Sequence, residues 1–82
     1  MKEIIGLDQL LPGERAVVFE LKNEIGMRRR LRDLGLVEET EIECLGQSPA
    51  KDPSAYLIRG AVIAIRRKDA SAVCVIRSQS EV

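Results

Sequence analysis

Short aliphatic runs, alternating at period two or continuously apolar, recur along this chain, each cut off by glycine, proline or a charge cluster. That pattern restricts it to a strand-built fold. Leu7 to Leu11 leads into Pro12-Gly13-Glu14, where proline pre-sets its own backbone angle and glycine accepts the positive φ that a tight turn demands. In residues 15–21, Val17, Phe19 and Leu21 share one face while Ala16, Val18 and Glu20 share the other, so the spacing predicts a strand with Phe19 in the core. Residues 41–45 set Ile42 and Cys44 against Glu41, Glu43 and Leu45. Residues 46–53, with Gly46, Pro49 and Pro53, read as an exposed hairpin loop. Residues 54–59 alternate again, and beyond Gly60 the run Ala61-Val62-Ile63-Ala64-Ile65 predicts a strand buried on both sides. Asp69 is placed to cap a single helical turn over 70–72, and Val73 to Ile76 forms a last strand. The polar residues from Arg77 onward form a tail, of which 78–82 are expected to fray.

One segment departs from the strand pattern. Met27, Leu31 and Leu34 recur at i, i+4 and i+7, which predicts a helix between about Glu24 and Leu34 with Leu31 packed on the body of the domain. At ~100° per residue, Arg28, Arg29 and Arg32 fall opposite the apolar stripe, flanked by Arg30 and Asp33. Gly35 stands where a left-handed cap is wanted, and Leu36 can fold back on the last turn. Many short strands around one helix point to a mainly β fold, a small barrel that closes on itself and leaves few open edges.

Eighty-two residues suffice for one domain, assigned to 1–77, whose core is modest because so short a chain buries only ~60% of its unfolded surface. With one Phe, one Tyr and no Trp, that core is aliphatic. Thirteen basic residues balance thirteen acidic ones, so no long-range field of one sign draws nucleic acid or lipid, and any basic patch is local. Histidine is absent, which removes the side chain that most often titrates near neutrality and ligates metals. Cys44 and Cys74 form neither a redox pair nor a zinc cluster in sequence and read as buried thiols of a protein in reducing cytosol. The first residues lack the apolar core of a secretory leader, and no apolar run approaches the ~20 residues of a membrane span.

These features argue against catalysis: no positioned base accompanies a nucleophile, and no phosphate-cradling glycine loop is present. No cofactor or metal site is assigned, since only a weak carboxylate group near Glu38, Glu39 and Glu41 could meet a cation. RNA binding is the second reading from another class, resting on the ridge Arg28-Arg29-Arg30 with Arg32. It is weakened by zero net charge and by having only Phe19 and Tyr56 for base stacking.

Four stretches in register identify the chain as similar to the FeoA family of bacterial ferrous iron transport accessory proteins. They are Leu10-Leu11-Pro12-Gly13-Glu14, Arg30-Leu31-Arg32-Asp33-Leu34-Gly35-Leu36, Pro49-Ala50-Lys51-Asp52-Pro53, and Ile58-Arg59-Gly60 continuing into Ala64-Ile65-Arg66-Arg67-Lys68-Asp69-Ala70. The resemblance implies an SH3-like β-barrel with one short helix and a single helical turn before the last strand. It implies a partner, the cytoplasmic part of the FeoB permease; the outer face of the 27–34 helix, with Arg28, Arg29 and Arg32, is the surface expected to meet it, and Pro12, Gly13, Leu31, Leu34, Gly35, Gly60 and Arg66 are assigned structural roles. Arg66 directly follows an apolar strand and is expected to satisfy carbonyls or pair locally. Self-association is left open. The barrel also resembles the C-terminal domain of iron-dependent repressors, although no helix-turn-helix precedes it here. One departure stands out: where the family has a Pro-Gly-Thr turn, this chain has Glu38-Glu39-Thr40. Because a non-glycine residue at positive φ costs roughly 1–2 kcal/mol, a turn of another form is expected there.

Overall fold

In a computed structural model, residues 2–47 and 52–78 are described. Strands β1 (Lys2–Gly6), β2 (Arg15–Leu21), β3 (Glu41–Gln47), β4 (Ser54–Ile58), β5 (Ala61–Ile65) and β6 (Val73–Ser78) make one antiparallel sheet in the order β1-β6-β2-β3-β4-β5. Helix α1 (Ile25–Asp33) joins β2 to β3, and the four-residue α2 (Arg67–Ala70) joins β5 to β6. The sheet does not close: β1 and β5 are free edges rather than partners. The expected closure does not occur, because β1 pairs only with β6 and β5 only with β4, so no ladder joins the two ends of the sheet.

Alternation in residues 15–21 does form a strand, but the opposite face is buried. Ala16 and Val18 are in the core, whereas Phe19 is 47% exposed and Val17 also faces outward. A bulge against β6 between Val18 and Glu20 then returns Leu21 to the interior. Period-two spacing shows that two faces differ without saying which one is covered, and a one-residue bulge resets the parity. Leu7, Leu36, Ile42, Ile58, Val73 and Val75 form the centre of the core, each fully buried. Tyr56 is buried among them, its hydroxyl donating to the Leu7 carbonyl at 3.4 Å. Cys44, paired with Tyr56 across β3 and β4, is a buried free thiol whose pKa burial pushes up, while Cys74 is free and half-buried.

Two strand assignments change. The run 61–65 is an edge strand, not a central one, with Val62 65% exposed and only Ile65 buried. A continuous apolar run is equally compatible with an edge, because burial depends on what covers the strand. At the other end, residues 2–6 form β1 along β6, which runs on to Ser78. Arg77 therefore belongs to the sheet and not to a polar tail. Its guanidinium bonds the carboxylates of Glu3 and of Glu14, the latter at 3.1 Å, and both bonds hold its pKa up. Residues 79–82, most of the expected frayed tail, lie outside the described residues, as do 48–51 of the expected hairpin loop. Gly46 and Gln47, read as loop, extend β3.

The turn after α1 keeps the positive φ that its sequence disfavours. Glu39 has φ +73° in a turn closed by Thr40 N–H to the Val37 carbonyl at 3.2 Å. Glu39 N–H donates to Val18 at 2.8 Å, and Val18 N–H donates to Thr40 at 2.9 Å. These two bonds to β2 hold the local conformation against its intrinsic cost.

Candidate partner-binding cleft

Helix α1 starts because Glu24 caps it: its carboxylate accepts the Met27 N–H at 2.6 Å and the Gly26 N–H at 3.3 Å. It stops in a Schellman arrangement, with Gly35 at φ +111° donating to Arg32 at 3.0 Å and Leu36 donating to Leu31 at 3.0 Å. Leu31 is buried and Met27 packs against the core, so the predicted stripe holds for two of its three residues. Leu34, the capping residue, is instead 44% exposed, because the chain turns away there and Leu36 takes the interior position.

The short α2 begins one turn earlier than Asp69 suggested. Arg66 occupies the cap position, and the carboxylate supporting the turn is that of Asp52, which accepts the Arg67 N–H at 2.9 Å. Asp69 lies inside the turn and offers its carbonyl to the Asn23 side-chain amide at 2.9 Å. This bond, with that of the Lys22 N–H to the Ala72 carbonyl at 2.8 Å, ties the segment ahead of α1 to the segment of α2.

Between them lies a cleft of about 520 Å³. Met27 and Leu31 of α1 and the capping Leu34 line it together with Ala64 and Ile65 of β5. Arg30, Arg66 and Lys68 contribute cations, with Glu24 and Asp69 also lining it. Two basic runs thirty-odd positions apart in sequence, 28–32 and 66–68, thus meet at one place.

The arginines singled out in the sequence occupy the neighbouring helix surface. Arg29 and Arg32 are exposed and Arg28 is half-buried. Arg32 is engaged by Glu38 at 3.3 Å, with both side chains about half exposed; such a pair is worth only ~0–1 kcal/mol. None of the three lines the cleft, whereas Arg30 does. Arg66 departs from expectation, since its side chain is exposed with no hydrogen bond or ion pair among the described residues, while its carbonyl accepts from Asp69 and Ala70. Sequence reasoning missed Arg30 and Lys68 as cleft residues; the available signal was a second basic cluster at the end of an apolar strand.

The other named positions lie elsewhere. Pro12 and Gly13 make an exposed turn, in which Gly13 (φ +90°) donates to the Cys44 carbonyl at 2.8 Å. Glu14 steadies that turn by accepting the Leu11 N–H at 2.8 Å, and this bond, followed by Arg77, holds its carboxyl below the usual range. Arg59 and Gly60, with φ +52° and +84°, form the two-residue connection between β4 and β5. Glu38, Glu39 and Glu41 do not converge: among the described residues no three Cys, Asp or Glu side chains are grouped to hold a metal ion. No described helix is long and apolar enough to cross a membrane.

Residues 5–77 match the FeoA domain family model. The chain belongs to the FeoA family. Its fold is close to the NMR structure of a FeoA-like protein from Clostridium acetobutylicum, with a TM-score of 0.87 at 29% identity over 100% of this chain and 95% of that one. FeoA from Stenotrophomonas maltophilia, crystallised with zinc and described as a prokaryotic SH3 domain protein, aligns over 84% of this chain and 86% of its own at 29% identity, with a TM-score of 0.70. The FeoA domain here is accordingly SH3-like, despite its open sheet. A manganese-dependent transcriptional repressor shares the fold alone, at 16% identity and TM-score 0.83, over 92% of this chain and 37% of the repressor. No curated protein matches the chain.

Proposed function

We propose that this FeoA domain is a non-catalytic, cytoplasmic accessory protein of bacterial ferrous iron uptake that works by binding the cytoplasmic part of a FeoB-type permease. The observation that carries the reading is the convergence of the two basic runs beside a cleft with an apolar wall, on a molecule whose net charge is zero. Seven of the thirteen basic residues (Arg28, Arg29, Arg30, Arg32, Arg66, Arg67 and Lys68) belong to those runs. Charges so placed steer encounter with an acidic surface and fix its register, while apolar side chains supply buried area. Arg28, Arg29 and Arg32 act at the rim of this surface.

RNA binding is favoured by one observation, the exposure of Phe19, which offers a ring for stacking. That ring belongs to β2 and does not line the cleft, so it does not join the basic cluster in one site. The experiment titrates the chain against a labelled permease cytoplasmic fragment and a labelled single-stranded RNA at two salt concentrations. The expected result is permease binding that weakens in Arg28→Glu/Arg32→Glu through slower association, with folding stability nearly unchanged. Tight RNA binding with a steep salt slope and no permease binding would refute the proposal.

A further inference from the structure

We infer that the cleft receives an extended acidic segment of a partner protein, which adds to β5 as a further strand. This rests on the reading of the chain as a protein-binding module and specifies what it binds. The register of the β4–β5 hairpin supplies the first part of the argument. Ile58 and Ala61 close a two-residue turn and form the first hydrogen-bonded pair, so Tyr56 with Ile63 and Ser54 with Ile65 follow as hydrogen-bonded pairs. Val62 and Ala64 then stand in non-hydrogen-bonded pairs, and their N–H and C=O groups point away from β4 toward the free edge.

An edge of this kind is normally blunted by charge, proline or a covering element. The opposite edge, β1, carries Lys2 and Glu3 and is clamped through Arg77. Strand β5 has five consecutive apolar residues, Ala61 to Ile65, and most of them are exposed. Its Ala64 and Ile65 line the cleft with Met27 of α1 and the capping Leu34, so a strand laid on this edge would set alternate side chains against apolar surface.

Charge decides the occupant. Arg59 precedes β5, Arg66, Arg67 and Lys68 follow it, and Arg30 stands across the cleft; of the two carboxylates that also line it, Glu24 and Asp69, the first is engaged in capping α1, so cations are in excess. A second copy pairing antiparallel, β5 to β5, would bring Arg59 of each copy toward the basic end of the other, juxtaposing like charges. A segment with carboxylates flanking an apolar centre has the complementary pattern.

The test uses the full chain, labelled with ¹⁵N, and a probe peptide, acetyl-Asp-Glu-Leu-Val-Glu-Asp-amide. Three controls accompany it: a version with Lys for each acid, a version N-methylated at alternate residues, and the permease cytoplasmic fragment. The expected result is that the acidic peptide slows amide exchange at Val62 and Ala64, while the lysine and N-methylated versions bind at least about tenfold more weakly. Ala64→Pro, which removes an outward N–H and leaves the ladder to β4 intact, should lose about tenfold in affinity. So should Arg30→Glu/Lys68→Glu, whose fold is checked by the fluorescence of the buried Tyr56. Absence of peptide binding, binding that survives N-methylation, shifts confined to α1, or β5-to-β5 dimers in its place would each overturn the inference. Permease binding that leaves Val62 and Ala64 unprotected overturns it while sparing the proposed function. Peptide binding without permease binding does the reverse.

Discussion

Replacing Glu39 by glycine should stabilise the fold. Glu39 stands at φ +73° and cannot relax, because its N–H and the carbonyl of Thr40 are both committed to Val18. A side chain in this region costs roughly 1–2 kcal/mol, and glycine removes that cost. Against it stands the extra freedom glycine gives the unfolded chain, about 0.4–1 kcal/mol. The side chain is exposed, so little burial is lost. The net expectation for Glu39→Gly is a gain of about 1 kcal/mol, which for a domain of this size corresponds to ~4–8 °C in Tm. Urea denaturation followed by Tyr56 fluorescence and far-ultraviolet circular dichroism measures it, with the midpoint rising at unchanged slope. Glu39→Ala is the decisive control, since it deletes the carboxylate but retains the Cβ. The reasoning is refuted if glycine is neutral or destabilising, or if alanine stabilises equally, which would assign the effect to crowded carboxylates and not to backbone strain.

Leu31→Ala should lower the unfolding free energy by ~2–5 kcal/mol, as the helix loses its one fully inserted side chain; a denaturation midpoint within error of wild type would place the helix wrongly. Gly35→Ala should destabilise by more than ~1 kcal/mol, because φ is +111° and the new Cβ would stand 3.3 Å from Ile58 and 3.4 Å from Arg59; thermal melts check this. Glu14 has a lowered folded pKa, so its contribution is fully present above the unfolded value of about 4.5 and is lost as pH falls through the folded value. Accordingly, Glu14→Gln should reduce stability at pH 7 and flatten its decline below about pH 4.5, as read by urea midpoints across an acid series.

Period and punctuation in the sequence determined the element types: the helix with Leu31 inward and Gly35 as its cap, the strands over 15–21, 41–45, 54–59, 61–65 and 73–76, and the turn at Pro12-Gly13. These are local properties, set by side-chain spacing and by the conformations glycine and proline allow. What covers each strand was not local. The same alternation in 15–21 fits either face, and only the packing of Ala16 and Val18 on the core, with the bulge before Glu20, turned Phe19 outward. The apolar run 61–65 read as central, yet strand order left it on an edge. Glu39 took a conformation its side chain resists, at a cost of roughly 1–2 kcal/mol, in a turn held by two hydrogen bonds to β2. The cleft itself was invisible in sequence, since its basic residues come from 30, 66 and 68 and meet only in the folded chain, where Asn23 bonds the carbonyl of Asp69. Spacing along a chain encodes which side chains can share a face, whereas the identity of the neighbour across that face is decided by long-range pairing alone.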